Sequence, residues 1–189
     1  MSNACCFGTG LEYEPDYRLQ YKSLVFNAGS MNDASETSPD TVPVGSADSN
    51  LQILGWLIPQ GDTNEYWLTF SVPIDAYNRA RRAKVLIHLL TDNSNTPTGN
   101  RFAIRLSSLF ARANGVVNMD NLRAVSKLNI PIQNSPENYS YNHYVIEFEL
   151  NDTIRAEDFA LLSVARIATN NDYAGALLLT SIEFRYLGY

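Results

Sequence analysis

From residue 51 onward the chain breaks into short apolar segments of alternating polarity, separated by turn residues, which is the pattern of half-buried strands. In 65–73, Tyr66, Leu68, Phe70 and Val72 share one face, with Trp67, Thr69 and Ser71 opposite. Residues 84–91 are apolar on both faces apart from His88, as in a central strand covered on both sides. In 101–106 the inward set is Phe102, Ile104 and Leu106. In 142–150 it is Tyr144, Ile146, Phe148 and Leu150, against Val145, Glu147 and Glu149. Segments 159–167 and 176–186 complete the clear strands. One unbroken alternation through the last puts Leu178, Thr180, Ile182, Phe184 and Tyr186 inward, and Leu177 and Leu179 outward. Residues 51–59 and 127–132 are shorter candidates. The helical pattern is confined to 118–128, where Leu122, Val125 and Leu128 recur after an Asn118 cap, and to a brief turn at 75–82.

Loops at 92–100 (DNSNTPTGN) and 168–175 (ATNNDYAG) carry the Asn, Asp, Gly and Pro expected between antiparallel strands. Roughly eight strands in about 140 residues, with little helix, predict an all-β fold, an antiparallel two-sheet β-sandwich. Of the sandwich types a jelly roll is preferred over an immunoglobulin-like order. Residues 28–50 (AGSMNDASETSPDTVPVGSADSN) show neither period and read as a linker, although 17–27 can form one strand. The expected organisation is therefore an extended N-terminal arm over 1–50 and a jelly-roll domain over 51–189.

Charge changes the picture of partners. The 189 residues carry 14 Lys and Arg against 20 Asp and Glu, a net of −6, and the deficit of bases lies in the N-terminal part, where Arg18 and Lys22 are the bases before residue 79. A basic arm of the kind that neutralises phosphates is absent, so nucleic acid is not an expected partner. The cluster Arg79, Arg81, Arg82 and Lys84 reads as a solvated loop beside a strand. Apolar runs such as 85–90 fall far short of the ~20 residues of a membrane helix, and 1–10 lacks the basic-then-apolar order of a secretory signal, so no membrane is expected. Cys5 and Cys6 are adjacent, a poor geometry for a bridge within the chain, and read as reduced thiols.

Catalytic and phosphate-binding motifs are missing from the sequence, and no cofactor, metal or enzymatic activity is expected. His88 reads as a hydrogen-bonded core histidine and His143 as exposed, without metal spacing. Glu147 and Glu149 share an outer strand face, the ordinary arrangement of solvated acids rather than a glycosidase pair. The oxygen-rich runs Asp92, Asn93, Asn95 and Asn170, Asn171, Asp172 read as turn chemistry rather than calcium loops. Aromatics are the remaining signal: Trp56, Trp67, Tyr139, Tyr141 and Tyr144 can make a sugar-stacking surface or a subunit contact. Outward Trp67, Leu177 and Leu179 form the candidate assembly interface.

The stretch 158–186, DFALLSVARIATNNDYAGALLLTSIEFRY, resembles the final two strands of jelly-roll and other β-sandwich proteins of bacteriophage virions, of tail-fibre, capsid or decoration type. The matching positions are Arg166, Asn170, Asn171, Asp172, Tyr173, Gly175, Glu183 and Tyr186. The resemblance implies a structural virion protein made in the host cytoplasm. It also implies a homo-oligomer, a trimer or larger, held to other virion proteins. The alternative function is a carbohydrate-binding or receptor-recognition module with a glycan as partner.

Overall fold

The computed structural model describes residues 20–33, 38–43, 52–76, 83–92, 101–133 and 141–188. Its strands are β1 (Gln20–Asn27), β2 (Asn32–Asp33), β3 (Asp40–Pro43), β4 (Gln52–Ile58), β5 (Tyr66–Ser71), β6 (Lys84–Asp92), β7 (Arg101–Ala111), β8 (Arg123–Pro131), β9 (Tyr141–Glu149), β10 (Phe159–Arg166) and β11 (Leu177–Gly188). One sheet has the order β3-β4-β11-β6-β9, with β1 also paired to β11, and the other the order β2-β5-β10-β7-β8. Every pairing is antiparallel. From β4 on, successive strands alternate between the two sheets, except that β7 and β8 share one, with β4-β11-β6-β9 facing β5-β10-β7-β8. That nested order is a jelly roll, as the strand pattern predicts. Among the described residues no helix is long and apolar enough to cross a membrane.

The core lies between the sheets and consists of the inward alternate residues. Val85, Ile87 and Leu89 of β6 and Ile182 and Phe184 of β11 meet Leu68 of β5, Ile104 and Leu106 of β7, and Leu162 and Val164 of β10. Each such side chain contributes about 1.5–3 kcal/mol on burial, so the alternation holds the two sheets together. Phe184 sits among rings, with Phe70 at 5.0 Å and Tyr186 at 5.9 Å between centroids.

The last strand departs from a single alternation. Leu179 pairs with Leu89 but Ser181 pairs with His88, so Thr180 is an extra residue, a β-bulge. Thr180 Oγ1 donates to the His88 carbonyl at 3.2 Å. Before the bulge the odd residues face inward, and after it the even ones do. Leu177 and Leu179, expected outside, are therefore both core residues with no exposed surface. Leu178 takes the outer position and packs on Gly55, where a Cβ would come within 2.5 Å of it.

Two further expectations are corrected. The boundary at residue 50 does not hold, because β1 pairs with β11 from Gln20↔Gly188 to Asn27↔Ser181, and Ala28 and Met31 lie in the core. Leu24 and Phe26 give β1 an apolar inner face, which the linker-like composition further along had obscured. The predicted helix at 118–128 is instead a 3-10 turn at Met119–Asn121, capped by Asn118 Oδ1 accepting from the Asp120 amide at 2.9 Å, followed by β8. A helix of that length has no buried face to stabilise it. The free edge of β7 offers backbone partners from Arg101↔Pro131 to Ser108↔Arg123. Most of 75–82 lies outside the described residues.

The loop after β10 is fixed by Arg166, which is buried. Its guanidinium donates to the carbonyls of Ile58 (3.0 Å), Gly175 (2.7 Å) and Tyr173, and to Asn171 Oδ1. Burial pushes its pKa down to about 10, so it still carries its charge at neutral pH. The hairpin motif 158–186 is thus a structural clamp.

Candidate functional site

Antiparallel register lays polar side chains in rows across the outer face of the β1-containing sheet. Ser23 of β1, Arg185 of β11, Lys84 of β6 and Glu149 of β9 stand opposite one another. The next row is Val25, Glu183, Leu86 and Glu147. Tyr21, Ser23, Lys84 and Arg185 line a depression of about 260 Å³ on this face. Tyr21 is 57% exposed.

The charges around the depression are locked to one another. Glu183, largely buried, accepts from Ser23 Oγ at 2.6 Å and Arg185 Nε at 2.6 Å. The Arg185 hydrogen bond foremost, with help from Ser23, holds the Glu183 carboxyl down at about 2. Lys84 Nζ donates to Glu147 Oε1 at 2.7 Å, which raises the ammonium pKa, and Glu183 likewise raises that of Arg185. Two cations here face three carboxylates, Glu147, Glu149 and Glu183, so the surface has no positive excess for a phosphate. It offers fixed donors and acceptors side by side next to an open aromatic face. That combination suits a neutral polyhydroxylated ligand, whose C–H face stacks on a ring while its hydroxyls bridge donors and acceptors.

Beyond Glu183 lies a pair that the sequence reading separated. His88 is half-buried on this outer face rather than in the core, because β6 turns Val85, Ile87 and Leu89 inward. Its Nδ1 is 3.2 Å from Nε2 of exposed His143, and its Nε2 is 3.5 Å from Glu183 Oε2. Glu147 and Glu149 face outward as expected.

The predicted aromatic row does not assemble among the described residues. Trp56 is a core residue whose Nε1 donates to the Ala28 carbonyl at 3.0 Å, and Tyr144 is buried with its hydroxyl accepting from the Gln133 amide. Trp67 does face outward, half-buried, but on the other sheet, opposite Asn32 and Ser163. Beside it Glu65 accepts from Arg105 at 2.5 Å and from Ser163 Oγ at 2.8 Å. Tyr141 is half-buried at the start of β9, and Tyr139 lies outside the described residues. Tyr21 was missed because its segment was read as arm; its alternation with Ser23 and Val25 was the available signal.

The oxygen-rich loop after β10 is already engaged. Asn171 Oδ1 accepts from Arg166, and Asp172 accepts from the Arg101 amide at 2.9 Å and Nε at 3.2 Å. Asn93, Asn95, Arg79, Arg81, Arg82, Cys5 and Cys6 lie outside the described residues.

No family model and no curated protein matches the sequence. Solved structures similar to this chain include the CBM22-1 xylan-binding domain from Paenibacillus barcinonensis Xyn10C, with TM-score 0.44, 12% identity, and coverage of 88% of this chain and 94% of that one. A family 35 carbohydrate-binding module from Clostridium thermocellum has TM-score 0.41 and 11% identity, covering 86% of this chain and 97% of that one. The xylan-binding module CBM15 has TM-score 0.45 and 9% identity, covering 87% and 97%. At such scores the likeness carries no functional weight, and no phage virion protein is among these three.

Proposed function

We propose that this jelly roll is a carbohydrate-binding module whose saccharide lies over Tyr21 on the outer face of the β1-containing sheet. The observation that carries the reading is the depression formed by Tyr21, Ser23, Lys84 and Arg185, an open ring beside hydrogen-bonding groups held by Glu183 and Glu147. Preformed pairs lower the ordering cost of binding a flexible sugar. The test is a panel of soluble neutral oligosaccharides screened by array and then by calorimetry. At least one binds the wild type, and Tyr21→Ala weakens it tenfold or more while the melting temperature stays unchanged. Absence of any saccharide binding, or binding indifferent to Tyr21→Ala but lost in Trp67→Ala, overturns the assignment.

A second reading, an assembling structural subunit of the kind the virion resemblance implies, has one observation in its favour. Among the described residues, strand β8 is a sheet edge with eight of its nine residues exposed. The exposed apolar side chains Val116, Val117, Met119, Leu122, Val125 and Leu128 run along it and the turn before it. With Leu177 and Leu179 in the core, this edge replaces them as the candidate contact.

A further inference from the structure

We infer that His88 and His143 form a binding site for a divalent transition metal on the outer face of the β1-containing sheet. Their facing nitrogens, His88 Nδ1 and His143 Nε2, are 3.2 Å apart. Two imidazole nitrogens on one tetrahedral zinc, each at ~2.0–2.1 Å, stand about 3.3 Å from each other. The pair already has nearly the spacing of two ligands on one ion. An ion in place of the shared proton requires the rings to turn about χ2, not the strands to move.

The backbone holds this arrangement. His88 stands opposite Val145 and His143 opposite Leu90, so the two rings meet diagonally across the β6–β9 ladder, close to parallel at 16° with centroids 5.4 Å apart. Diagonal neighbours on one face lie within reach of side chains of this length.

Glu183 selects the ligating nitrogen. With its Oε2 3.5 Å from His88 Nε2, it favours the proton there and leaves the Nδ1 lone pair directed at His143. A carboxylate behind a ligating imidazole orients the ring and raises its basicity. Glu183 is held in place for this by Ser23 and Arg185. Among the described residues no group of three or more His, Cys, Asp and Glu side chains converges on one point. The described residues therefore supply two nitrogens, and water completes the coordination. Imidazole donors suit copper, zinc or nickel rather than calcium or magnesium, which take oxygen ligands.

The test uses the full chain with Cys5→Ser and Cys6→Ser, which removes the thiols as competing ligands. Copper(II) is titrated with electron paramagnetic resonance as readout, and zinc chloride by calorimetry. The expected result is one equivalent of metal, with nitrogen hyperfine structure in the copper spectrum. His143→Ala, at an exposed position, abolishes that signal and lowers affinity at least tenfold. Glu183→Gln lowers affinity by about 10–100-fold with both histidines present, the usual effect of losing an orienting carboxylate. Tyr21→Ala leaves metal binding intact, which separates this site from the saccharide reading. Failure to bind either metal, or binding that survives His143→Ala, overturns the inference. Unchanged affinity in a folded Glu183→Gln variant overturns the orienting role of Glu183.

Discussion

Phe148 and Glu149 are chain neighbours on β9 with opposite surroundings, the ring in the core and the carboxylate in solvent. Phe148→Ala is expected to destabilise by about 3–5 kcal/mol, the usual cost of deleting a buried ring, and Glu149→Ala by about 0.5 kcal/mol or less. Denaturant melts showing the reverse order would place β9 one residue out of register. Tyr186 gives a second, pH-dependent test. Its buried hydroxyl donates to Asp75 Oδ1 at 3.0 Å, and desolvation, with that hydrogen bond and the Asp75 charge, raises its pKa to about 12. A phenol raised above its unfolded value of about 10 stabilises the fold fully below that pH, and the contribution is lost as pH rises through 12. Tyr186→Phe should flatten the alkaline loss of stability between about pH 10 and 12. It will not remove it, because burial and Asp62 raise Tyr66 as well.

The bulge at Thr180 decides what the residues before it do. Leu179 lies in the core, so Leu179→Ser should cost folding rather than association, by at least the ~2–5 kcal/mol of a large-to-small core change plus a buried hydroxyl. Melts and sedimentation of the same variant separate the two, and a variant that keeps wild-type stability but dissociates would restore Leu179 to an interface. Gly55→Ala tests the outer side of the same segment. The new methyl would meet Leu178 Cγ at 2.5 Å and the Leu179 carbonyl at 3.1 Å, and overpacking of this kind costs about 1–3 kcal/mol. Strand β4 would have to part from β11 to make room.

A jelly roll leaves each sheet with two edges, and an exposed edge is a template for another chain. Among the described residues, β8 is such an edge, and with the turn before it carries a run of exposed apolar side chains. If the chain assembles with copies of itself, Val125→Lys should abolish concentration-dependent association in sedimentation velocity and leave the melting temperature unchanged. A strict monomer at every accessible concentration removes the assembling reading and leaves the saccharide one. The two readings use different surfaces, the outer face of one sheet and the edge of the other, so neither variant disturbs the other test.

Alternation at spacing two is a property of neighbouring residues. For that reason the strands β4 to β7 and β9 to β11, the inward faces of β5, β7 and β9, and the outward side of Trp67 could all be read along the chain. Roughly eight short alternating segments with little helical periodicity were enough to predict a sandwich. Pairing between distant segments is not written in any window of the sequence. Segments 17–27 and 127–132 read as possible strands, but their partners were not legible: β11 lends 20–27 its backbone partners, and β7 extends the second into 123–131, where a helix had competed. The phase of Leu177 and Leu179 came from one extra residue at a bulge, which inverts every side chain before it. His88 and His143, 55 residues apart, met because β6 and β9 are neighbours, and Glu183 joined them because β11 lies on the other side of β6. Local patterning sets which faces are apolar, but contacts between residues far apart in sequence depend on the register in which strands pair, and that is settled when the whole core closes.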